Sequence, residues 1–76
     1  MREIKVNETF YSATKDDQLL RAVFIEMGFK PMEDDKTYNT VGRIITLKKA
    51  LVNINKSIEA ANEFLKENKM EVVLYE

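Results

Sequence analysis

The chain has 76 residues, 33% of them charged and 45% hydrophobic, with a formal net charge of −1 and neither cysteine nor histidine. A chain of that size makes a single domain, residues 1–76, with a marginal core, since it buries only about 60% of its unfolded surface. Disulfides are excluded, a zinc site lacks both preferred ligands, and no overall field draws the chain to nucleic acid or anionic lipid.

The opening stretch REIKVNETFYSA sets Ile4, Val6 and Phe10 on one parity against Lys5, Asn7, Thr9 and Tyr11, the pattern of an amphipathic strand. A hairpin at Asn7-Glu8 would lack the glycine such turns prefer, so one bent or bulged strand is expected. In TKDDQLLRAVFIEMGFKP, Thr14 and Asp17 resemble a capping box, and Asp16 and Asp17 suit the positive end of a helix. Leu19, Leu20, Val23, Phe24 and Met27 then recur at helical spacing. Gly28 supplies a left-handed exit, Phe29 folds back onto Phe24, and Pro31 prevents resumption. The pattern predicts a helix from about Lys15 to Met27.

KPMEDDKTYN reads as a polar connector, and Asn39 or Thr40 can cap a second helix. Gly42 weakens its first turn by ~1 kcal/mol relative to alanine, and no further breaker precedes Asn68. MEVVLYE, short and β-branched, reads as a closing strand. The expectation is an α+β fold of β-α-α-β order, two antiparallel helices with the second one long, and paired terminal strands running antiparallel.

The second helix carries an apolar seam of Ile44, Leu47, Leu51, Ile54, Ile58, Ala61 and Leu65. Thr40 to Asn68 would span about 43 Å at 1.5 Å per residue. A domain of this size is only ~30 Å across, and the first helix covers ~20 Å of it. With disulfides and zinc excluded, oligomerisation is the remaining way to stabilise so small a core. The seam is therefore the expected interface of a homodimer. Arg43, Lys48, Lys49 and Lys56 precede Glu59, Glu63 and Glu67, so antiparallel copies would align opposite charges. A kink near Asn53–Asn55 would instead let both halves pack within one monomer.

Chemistry has few footholds. Without histidine or cysteine the usual nucleophile–base pairs cannot form, and the two glycines are isolated. Glu33-Asp34-Asp35 is dense in acid but lacks the spacing of a calcium loop. No enzyme activity, metal or cofactor is expected. The N-terminus lacks a signal-peptide run and no segment is long and apolar enough to span a bilayer, so a soluble cytoplasmic protein is expected. Aromatics and methionine favour interfaces, which nominates Phe29, Met32 and Tyr38 as partner-binding residues. The expected function is a small protein-binding module, a stoichiometric regulator or inhibitor of a larger protein. The alternative is a dimeric nucleic-acid-binding regulator using Arg43, Lys48, Lys49 and Lys56.

Overall fold

Each α-helix of the computed structural model, which describes residues 1–76, begins at a side chain that accepts a hydrogen bond from the amide three residues on. Such caps satisfy amides that have no partner inside the helix. Thr9 caps α1 (Phe10–Thr14), Asp17 caps α2 (Gln18–Met27) and Asp34 caps α3 (Asp35–Thr40). Thr46 caps α4 (Leu47–Asn53) and Ser57 caps α5 (Ile58–Glu67). Tight 3₁₀ turns at Lys30–Glu33 and Val41–Arg43 flank α3. The strands are β1 (Arg2–Lys5) and β2 (Val72–Tyr75).

The single long helix is not formed. Its span holds the end of α3, a 3₁₀ turn, α4 and α5. Asn55 adopts φ 57°, and behind it the Lys56 amide reaches the Leu51 carbonyl while the Asn55 amide reaches that of Val52. This is the Schellman closure, in which a left-handed residue lets the last carbonyls find donors. Lys69, at φ 59°, closes α5 the same way, with Met70 bonding back to Leu65. Gly28, at φ 149°, closes α2, and Phe29 donates to the Phe24 carbonyl, as its position after the helix predicts.

Three further expectations are corrected. The bent strand through Phe10 stops at Lys5, because the Thr9 cap starts a helix at Phe10. The start of α2 is Asp17 rather than Thr14, whose hydroxyl is buried and bonds the Phe10 carbonyl and the Tyr38 hydroxyl, each at 2.8 Å. The strands pair in parallel, Arg2 beside Val72 and Ile4 beside Leu74, not antiparallel. A parallel neighbour requires a long crossover, and the five helices between the strands provide it.

Eighteen buried residues form one core cluster, centred on Phe10. Its ring lies 5.5 Å from Phe24, 5.3 Å from Phe29 and 6.0 Å from Tyr38. The seam feeds this same core: Leu47, Leu51, Ala61 and Leu65 are buried within the monomer, and Ile54 and Ile58 are half-buried against it. Nothing overhangs, since the domain measures 28 × 22 × 18 Å and its longest helices have ten residues, about 15 Å. The overhang that nominated the seam as a dimer interface is therefore absent. Only Ile44 of that set stands in solvent, 81% exposed.

Candidate protein-docking groove

Breaking the long helix turns the connector into a wall. The Lys30–Glu33 turn, α3 and the Val41–Arg43 turn stand opposite α4, leaving a groove of about 280 Å³ between them. Phe29 and Met32 form part of its lining together with Ile45, Ala50 and Ile54. Thr37 and Asn53 supply the polar groups, and Pro31 and Val41 stand at exposed positions along it. A shallower shelf continues past Val41 and Ile45 to Ile44, Thr46 and Lys49. Concave, largely apolar surfaces with few polar groups are where proteins take up ligand or partner side chains.

The glycines allow the close approaches behind the groove. A Cβ at Gly42 would lie 3.3 Å from the Met32 sulfur and 3.6 Å from the Tyr38 ring. A Cβ at Gly28 would come 3.2 Å from Ile54 Cδ1. Arg21, from α2, fastens the wall. Its guanidinium donates to the Met32 carbonyl at 2.8 Å, pairs with Asp35 at 3.0 Å and lies 3.8 Å over the Tyr38 ring. Two of the three connector acids are likewise engaged: Asp34 caps α3 and Asp35 holds Arg21. The Thr37 amide, and then its hydroxyl, hold the Asp34 carboxyl below its ordinary 3.8.

Phe29, Met32 and Tyr38 do not stand out as surface anchors. All three are buried, because each packs into the aromatic core from the far side of the groove. Phe29 and Met32 still contribute lining, whereas Tyr38 directs its hydroxyl to Thr14. The large apolar side chains exposed on this face are Val41 and Ile44, which helical spacing alone places inside the second helix. Their signal was Thr46: a cap at that position leaves Val41–Ile45 outside α4.

The four cations of the nucleic-acid reading occupy separate segments. Arg43 stacks 4.1 Å over the Tyr11 ring and donates to its hydroxyl at 3.1 Å. Lys48 pairs with Glu76 at 2.9 Å. Lys56 is half-buried in the α4–α5 connection, and Lys49 stands on the shelf beside Ile44. Neither Lys49 nor Lys56 is part of an ion pair.

Comparison with models of known families, with curated proteins and with solved structures gives no match. The groove and its shelf are the recesses of the chain with the most apolar lining. No helix is long and apolar enough to cross a membrane.

Proposed function

We propose that the chain is a small non-catalytic binding module that acts stoichiometrically on a larger protein, regulating or inhibiting it by seating an apolar, acid-flanked segment of that protein in the groove. The observation that carries this is Ile44, exposed at 81% beside an apolar recess, with Val41 at 47% next to it. Burying one such side chain against a partner is worth about 1.5–3 kcal/mol. Contiguous exposed apolar surface on a soluble chain marks an interaction site more often than a packing accident. Unpaired Lys49 on the shelf gives the partner's flank its sign, since an opposed carboxylate steers encounter and sets orientation. The absence of histidine and cysteine supports a stoichiometric rather than a catalytic role.

A displayed peptide library selected on the wild-type chain tests this. Enriched sequences should combine a large apolar side chain with acidic neighbours, and Ile44→Asp should abolish their binding without changing the melting temperature. Binding should survive 0.5 M salt with modest loss, because apolar burial is insensitive to screening. Enrichment of nothing, or equal binding by Ile44→Asp, rejects the groove. A nucleic-acid complex lost on Lys49→Glu and Lys56→Glu would replace it with the phosphate-binding reading.

A further inference from the structure

The two-stranded sheet has two outer edges, and they differ. On β2 the outer edge is closed at Leu74 by α5: the Asn62 side-chain amide donates to the Leu74 carbonyl at 3.0 Å, and the Leu74 amide donates back to Asn62 Oδ1 at 2.8 Å. On β1 the pairing phase is set by the Arg2 amide on the Glu71 carbonyl, 2.9 Å, and the Val6 amide on the Tyr75 carbonyl, 2.8 Å. Alternation along the strand then turns the main-chain groups of Glu3 and Lys5 away from β2. No third strand meets them there. The Lys5 carbonyl accepts the Glu8 amide of the following turn and keeps a second lone pair.

The side chains on this edge are charged and unpaired. Glu3 and Lys5 are both exposed and belong to none of the ion pairs of the chain. Their neighbours across the sheet are Val73 and Tyr75, neither of which is an acid–base partner for them. Glu76, beyond the end of β2, is held by Lys48.

We propose that this edge pairs with itself: a second copy of the chain adds its β1 antiparallel, with Ile4 on the twofold axis and Glu3 of each copy opposite Lys5 of the other. Symmetry and charge select that register. An isologous contact places each residue opposite its symmetry equivalent about one centre. Outward main-chain groups meet only when Glu3, Ile4 or Lys5 lies at that centre. Centring on Glu3 or on Lys5 sets like charges directly opposite, which is unfavourable. Centring on Ile4 makes Glu3–Lys5 a hydrogen-bonded pair on each side of the axis, with opposite charges facing. The product is a four-stranded sheet, whereas a two-stranded one is marginal by itself. Charge on an open edge usually keeps other strands away; here its alternation admits a copy of itself.

Sedimentation equilibrium of the 76-residue chain from micromolar to millimolar concentration tests the pairing. The wild-type mass should climb from 8.9 kDa toward twice that value. Glu3→Lys alone and Lys5→Glu alone should each weaken association at least tenfold, with melting curves unchanged because both sites are exposed. An equimolar mixture of those two variants should recover it, since every facing pair is then again of opposite sign. The double variant Glu3→Lys/Lys5→Glu should associate as the wild type does. Amide exchange in the wild type gives a reading without substitution: protection at Glu3 and Lys5 should rise with protein concentration. A mass fixed at 8.9 kDa, single variants within threefold of wild type, or concentration-independent exchange at those amides would each overturn the proposal.

Discussion

Asn62 bonds both the amide and the carbonyl of Leu74, so one side chain from α5 does for this residue on the outer edge of β2 what a third strand would do. The same contact docks α5 on the sheet and orients Ala61 and Leu65 into the core. Truncation removes both bonds and leaves two half-buried main-chain groups unsatisfied. We predict that Asn62→Ala lowers stability by about 1–3 kcal/mol. For a chain of this size each lost kcal/mol lowers the melting temperature by roughly 4–8 °C. A thermal melt followed by circular dichroism reads it, and an unchanged midpoint would show that water replaces the clamp without cost.

Two non-glycine residues sit in the left-handed region, Asn55 and Lys69, each closing a helix. Lysine clashes there through its Cβ, while asparagine tolerates the conformation better. Lys69→Gly should therefore stabilise the fold, by about 0.5–1 kcal/mol, and Asn55→Gly by less. Chemical denaturation of both variants checks the order. A larger gain at Asn55 than at Lys69 would contradict it.

Asp34 gives the fold an acid-sensitive contact. Bonds from the Thr37 amide and hydroxyl favour its charged form and lower its pKa from 3.8. A carboxyl lowered in the folded state contributes stability that is complete above its unfolded value and is lost as pH falls through the folded one. Melting temperatures of wild type and Asp34→Asn, which keeps a cap but does not titrate, should run in parallel above pH 5. Below about pH 3.8 the wild type should fall faster. Parallel curves down to pH 2 would remove Asp34 from the account.

Leu51 and Ile44 belong to one apolar seam in sequence but to opposite environments in space, 3% and 81% exposed. Leu51→Asp buries a charge in the monomer core and should unfold the chain at every concentration, since the cost rivals the total stability of so small a domain. Ile44→Asp should stay within about 0.5 kcal/mol of wild type. Sedimentation with circular dichroism distinguishes these outcomes. Folded, monomeric Leu51→Asp would instead return the seam to the role of an interface between copies.

Much of the local structure is legible in the residues. The exit of α2 is written in Gly28 and Phe29, and β2 in its β-branched run, because both depend on neighbours in the chain. Burial of Leu47, Leu51, Ala61 and Leu65 is legible too. The break between α4 and α5 is legible only as the alternative kink near Asn53–Asn55, which Asn55 and Ser57 mark. Both helices turn their apolar side to the same core, so the spacing continues across the break and periodicity alone reads it as one helix. The Thr9 cap was hidden similarly, since Phe10 keeps the parity of the strand before it while lying in a helix.

The groove was legible only in pieces. Residue type nominates Phe29 and Met32 as exposed anchors, whereas both are buried: the core behind them takes their aromatic and thioether surface, and what remains lines the recess. Sequence by itself determined composition, caps, the turn-forming residues and which side chains seek burial, all governed by contacts within a few residues. Tertiary structure decided the parallel pairing of β1 with β2, the exposure of Ile44 and the capping of Leu74 on one sheet edge by Asn62. Those depend on residues 12 to 70 positions apart, whose meeting is set by how five short helices share one core.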